Sequence, residues 1–134
     1  MNNNKTKSII DRYSPAIYPI DLYVSKNSNY KELSKIFDDI TEKDVADTDN
    51  WATTIFGTKL KGTDDNVCLI ILHNKTLKSK DKPEVIDTLS HEALHYVIDL
   101  MEYIGQPLVR QASESLCYLQ GWATKCIYKT LVKK

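Results

Sequence analysis

The chain has 134 residues, and its 18 Lys plus Arg balance 18 Asp plus Glu, so the formal net charge is zero. That balance leaves no electrostatic footprint for nucleic acid or an anionic membrane surface, and neither partner is expected. The length suits one domain with one core, and three sparse cysteines (Cys68, Cys117, Cys126) make no disulfide framework, which points to a reducing, cytoplasmic compartment.

The polar residues 1–8 lack the apolar stretch of a secretion signal and are expected to be a disordered tail ahead of a single domain over 9–134. No segment reaches the ~18 continuous apolar residues of a membrane span. Residues 17–26 alternate apolar and polar side chains and predict a strand. Tyr30, Leu33, Ile36, Phe37 and Ile40 then recur at helical spacing, predicting an amphipathic helix over 29–39. The acidic stretch 41–50 reads as a solvated loop, without the Gly and ligand pattern of a Ca²⁺ loop. Residues 51–60 and 67–73 predict two more strands joined by a Lys-Gly-Thr-Asp-Asp-Asn hairpin loop. The uniformly apolar Val67 to Leu72 suits an inner strand, and the more mixed 52–59 an edge. Pro83, with Glu84 and Asp87 after it, marks a helix start, and Gly105 followed by Pro107 marks its end. A last helix is expected over about 108–131. The fold class is therefore α+β: a small sheet of three strands, or slightly more, with an N-terminal helix and two C-terminal helices.

The chemistry gathers on the first of those two helices. In His91-Glu92-Ala93-Leu94-His95 the histidines lie four residues apart, about 40° around the helix axis, so their rings project side by side. Two imidazoles so placed suit one Zn²⁺ per chain, and Glu92, on the flank of the same face, suits a base acting on a zinc-bound water. Ile86, Leu89, Ala93, Leu94, Tyr96, Val97, Leu100, Met101 and Ile104 share a broad apolar arc, and both histidines fall opposite it. A catalytic zinc usually takes three protein ligands and keeps one position open. Glu114, on the last helix and opposite its apolar arc, is the candidate third ligand.

These residues resemble the gluzincin group of zinc metallopeptidases, in which H-E-x-x-H is followed by a Glu on the next helix at a spacing that His95 to Glu114 matches. The likeness is greatest to the minimal zinc peptidase domains of phages and mobile elements. Asp99 stands where thermolysin-like members carry an acidic residue, and suits a carboxylate that orients a histidine ligand. The resemblance implies a zincin-like fold and an extended peptide or protein substrate paired along the edge strand, here Ala52, Thr53, Thr54, Ile55 and Phe56, with Trp51 beside them. Two features depart from the group. Tyr118 stands where thermolysin-like members place an Asp, and the downstream domain that supplies an oxyanion donor in larger members has no counterpart in the about twenty residues after Glu114.

The expected reaction is hydrolysis of a peptide bond in an intracellular protein, with Glu92 as base. Tyr118, on the helical face of Glu114, is the first candidate for oxyanion donor, with Tyr103 and His73 as others. A cytoplasmic peptidase without a pro-segment calls for a narrow substrate range or an inhibitory partner. Two alternatives compete. A zinc-binding but non-catalytic interaction module would close the metal with a fourth ligand such as Cys117 or His73. A metal-free α+β binding protein would carry the histidines as surface residues.

Overall fold

The chain forms a four-stranded mixed sheet, seen in a computed structural model that describes residues 6–46 and 49–134. The strands are β1 (Ile9–Tyr13), β2 (Leu22–Lys26), β3 (Ala52–Lys59) and β4 (Asn66–Leu72), in the order β1-β2-β4-β3. The β2–β4 pair is parallel, and β1–β2 and β3–β4 are antiparallel. Five α-helices complete the described residues: α1 (Tyr30–Ser34), α2 (Glu42–Val45), α3 (Asn74–Lys78), α4 (Glu84–Tyr103) and α5 (Ser113–Val132). None of them is long and apolar enough to cross a membrane.

Strand β4 lies inside the sheet and is buried on both faces, as its unbroken apolar run predicts. Cys68, Ile70 and Leu72 join Leu22 and Val24 under α4 and α5, while Val67, Leu69 and Ile71 join Tyr23, Leu33, Phe37 and Ile40 on the other face. Helix α4 contributes Val85, Leu89, Ala93, Tyr96, Val97, Leu100 and Met101 to the first core, and α5 contributes Leu119, Ala123, Cys126, Ile127 and Leu131. Tyr96 is fully buried, and its hydroxyl donates to the Ile20 carbonyl at 2.6 Å. At the far end of α4, Gly105 adopts φ +72°. Its N–H bonds the Glu102 carbonyl at 3.1 Å, and that of Gln106 bonds the Met101 carbonyl at 2.9 Å, which closes the helix as a Schellman turn.

Several expectations need correction. The sheet has a fourth strand, β1, a short edge strand laddered to β2 whose few apolar residues give no clear period, and polar contacts tie it further to the end of α5. Asp11 accepts from Thr130 Oγ1 and Lys133 Nζ, each at 2.8 Å, and Tyr13 Oη lies 2.8 Å from Thr130 Oγ1. The strand expected over 17–26 begins only at Leu22, because Pro15 and Pro19 remove backbone donors and Ala16 turns the chain with φ +55°. The helix expected over 29–39 stops at Ser34. Beyond it, Asp38 N–H bonds the Lys59 carbonyl at 2.8 Å and Phe37 bridges to Leu60, so the end of the hairpin captures the backbone. The acidic stretch holds one helical turn, α2, with a Thr41–Asp44 capping box, and its residues 47 and 48 lie outside the described ones. So do residues 1–5 of the expected tail. Ser8 is tethered to Ser28 at 2.7 Å between hydroxyls. On α4, Ile86, Leu94 and Ile104 are 69%, 47% and 39% exposed, and Val85 takes the buried place that the helical wheel gives to Ile86. The last helix starts at Ser113 after a 3₁₀ turn (Arg110–Ala112), leaving Leu108 and Val109 exposed.

The Asp11 cluster ties the edge strand to the last turn of α5. Burial raises the Asp11 pKa, but hydrogen bonds from Lys133 and Thr130 outweigh it and hold the carboxyl below its ordinary value. A depressed folded-state pKa contributes stability above the unfolded value of ~3.9, lost as pH falls through the folded value. Asp11→Asn is therefore expected to lower the urea midpoint modestly at neutral pH, with the gap to the native protein closing as pH drops below ~4. Urea titrations of both proteins across that range check this.

Candidate metal and catalytic site

The wheel position of His91 and His95 places both rings at the surface of α4, on the side that overhangs β3. Their ring centroids are 4.8 Å apart with planes at 74°, and the two Nε2 atoms converge to 3.1 Å. Two nitrogens at 2.0–2.1 Å from one tetrahedral cation stand about 3.3–3.4 Å apart, so the pair is within a few tenths of an ångström of the bite zinc requires. The same distance also suits a hydrogen bond from one neutral ring to the other. The donor set fits zinc as far as these two ligands go.

Glu92 takes the other flank of the helix. It is buried to 7% exposure, and Thr54 Oγ1 of β3 donates a hydrogen bond to its Oε2. Burying a carboxylate is costly unless a donor meets it, and Thr54 is that donor. Asp99 lies one turn beyond His95, half-buried. Burial raises its pKa, His95 pulls it down, and Glu102 pushes it up, with a net rise. Asp99 thus sits within electrostatic reach of His95.

A groove runs between α4 and β3. One depression of about 720 Å³ reaches from Glu84 and Asp87 to His91, and another of about 470 Å³ continues past His95 to Asp99. Both are lined by Asn50, Ala52, His91 and Glu92, so the histidine pair and the glutamate stand at their junction. Lys43 and Asp44 of α2 form part of the second wall. No apolar periodicity marks these residues, and the sequence reading passes over them.

The remaining site expectations divide. Ala52, Thr53 and Thr54 line the groove on the edge strand. Ile55 packs into the opposite core, and Phe56 packs on Tyr96 and Tyr103 with ring centroids 6.4 and 6.2 Å apart, so these two are packing residues. Trp51 lines the first depression and packs against the main core. Glu114 is exposed in the first turn of α5, and among the described residues no three His, Cys, Asp or Glu side chains converge as a metal set. Glu114 is therefore not joined to the histidine pair. Gln120, whose Nε2 donates to the Ser90 carbonyl at 3.0 Å, is the α5 residue level with the start of the pair. Tyr118 is 76% exposed and lines a separate apolar depression with Ile17, Tyr18 and Trp122. Tyr103 borders a fourth depression, with Arg12 and Asp65, and Cys117 is exposed on α5.

His73 has a structural place. Its Nε2 lies 2.7 Å from Thr53 Oγ1, and its N–H bonds the Trp51 carbonyl at 3.0 Å. Thr76 Oγ1 donates to the same carbonyl at 2.5 Å, so α3 pins the start of β3. Thr53→Val, which removes the His73 bond and keeps the β-branched shape, is expected to cost about 1 kcal/mol. Thr53→Ser is expected to recover most of that in urea denaturation.

The chain was compared with protein-family models, with curated proteins and with solved structures, and it matches none of them. The functional reading therefore rests on the residues of the groove.

Proposed function

We propose that the protein is a zinc-dependent peptidase of the gluzincin type, acting on an extended segment of a protein. The observation that carries this is the 3.1 Å convergence of His91 and His95 Nε2 beside a buried Glu92, at the midpoint of an open groove bordered by an edge strand. His91 and His95 would hold the zinc, and Glu114, which the spacing offers as third ligand but which stands apart from the pair in this structure, would have to approach them to complete the set. A bound zinc supplies Lewis acidity, acidifying water toward a pKa of ~7 and polarising a carbonyl.

The chain's own residues do the rest. The outer edge of β3 offers unpaired backbone N–H and C=O groups to an extended peptide. Glu92 Oε2 is held by Thr54, which leaves Oε1 to receive the proton of the attacking water. The water oxygen bonds the carbonyl carbon, the C–N bond breaks, and Glu92 returns the proton to the departing amine. Asp99, close to His95, suits a carboxylate that steadies that ring. The non-catalytic alternative needs a closed donor set. His73 is engaged with Thr53 and Cys117 is exposed on α5, which favours the open, catalytic reading.

Zinc per chain, measured by elemental analysis after purification without chelator, is expected near one for the native protein and near zero for His91→Ala. Absence of zinc from the native protein overturns the proposal. Zinc retained by Glu114→Ala moves the third ligand elsewhere. Glu92→Gln is expected to keep its zinc and lose cleavage of a peptide library by roughly 10²–10⁴-fold. Undiminished cleavage by that variant removes Glu92 from the chemistry.

A further inference from the structure

A glutamate on the flank of a helix has three rotatable side-chain bonds, and several orientations compete. Glu92 sits between the exposed histidine face of α4 and the buried face against the sheet. Staggered torsions leave such a side chain several orientations unless a contact selects one. One contact selects among them, the hydrogen bond from Thr54 Oγ1 to Oε2. No other hydrogen bond to the Glu92 carboxylate is present among the described residues.

Thr54 is well suited to hold another side chain still. It alternates with Ala52 and Phe56 on the strand face that meets α4, both of which pack against the main core. Its backbone is fixed by pairing with Ile70 of the buried β4. Its branched Cβ restricts χ1, so the hydroxyl has few directions to point. Glu92 is 7% exposed, and its donor is itself part-buried on a strand paired to the buried β4.

We propose that Thr54 is a positioning residue for Glu92: its hydroxyl locks one carboxylate oxygen against the edge strand and leaves the other for the reacting water. This rests on the peptidase reading for its catalytic consequence and gives Thr54 a role beyond lining the substrate strand. The strand that would seat the peptide backbone also sets the base, so substrate register and base orientation share one rigid element. A carboxylate displaced by about 1 Å can lose up to a hundredfold in rate.

The test uses full-length Thr54→Val, which keeps the shape without the hydroxyl, and Thr54→Ser, which keeps the hydroxyl. Three-bond couplings read by NMR are expected to report a single Glu92 χ1 rotamer in the native protein and in Thr54→Ser, and averaging in Thr54→Val. With the library peptide that the native protein cleaves fastest, Thr54→Val is expected to lower kcat ten- to a hundredfold (~10–10²) with KM nearly unchanged and zinc retained. Thr54→Ser is expected to restore most of kcat. A single Glu92 rotamer persisting in Thr54→Val overturns the proposal, as does a loss of kcat that Thr54→Ser fails to rescue. If the native protein cleaves no peptide, the peptidase reading fails. The NMR couplings still decide whether Thr54 holds Glu92.

Discussion

Seating α4 against the helix-facing side of the sheet is the constraint from which the rest follows. Ala93 is fully buried and brings the helix backbone close, while Tyr96, Leu100 and Met101 fill the space further along. Truncating one such large side chain typically costs 2–5 kcal/mol, a large share of the stability of a small domain. Once the stripe through Val85, Leu89, Ala93 and Tyr96 faces the sheet, 3.6-residue periodicity leaves no choice for its neighbours. His91 and His95 must face out, and Glu92 must fall on the border between helix and strand. The chemistry of the groove is a by-product of how the helix sits.

That border is also where polar groups replace apolar packing. Thr53 and Thr54 occupy successive positions on β3 and point to opposite faces of the sheet. One meets His73 and the other meets Glu92. An edge strand has partners on one side only and tends to fray. Fastening this one on both faces, with α3 gripping its first residues, gives a groove wall that holds its shape beside an open surface.

Strong local patterns made much of this legible from residues alone. The apolar run of β4 could only be an inner strand, and Pro83 and Gly105 bracketed α4 to within a residue or two. The outward placement of the histidines followed from their position opposite the helix's apolar arc. Short edge elements were not legible: β1 is five residues laddered to β2 and tied by Asp11 to Thr130 and Lys133 about 120 positions away, and periodicity carries no trace of that. The short α1 failed for a related reason, since Leu33, Phe37 and Ile40 pack together whether or not the backbone between them stays helical. In the groove, Thr54 was named as a strand residue, but its bond to Glu92 depends on how far α4 overhangs β3. The placement of Glu114 depends on the turn after Gly105, where spacing along the chain says little about direction in space.

The bulge in β3 has a consequence for what can pair with that strand. Gly57, at φ +88°, breaks the register between Phe56 and Thr58, and its left-handed backbone is one that other residues rarely adopt. A ladder laid along the outer edge can run straight only from Ala52 to Phe56, roughly 17 Å of extended chain, before the bend carries the donors and acceptors out of line. The straight part of this edge thus spans about five residues, which bounds the length of any strand that could pair along it before the bend.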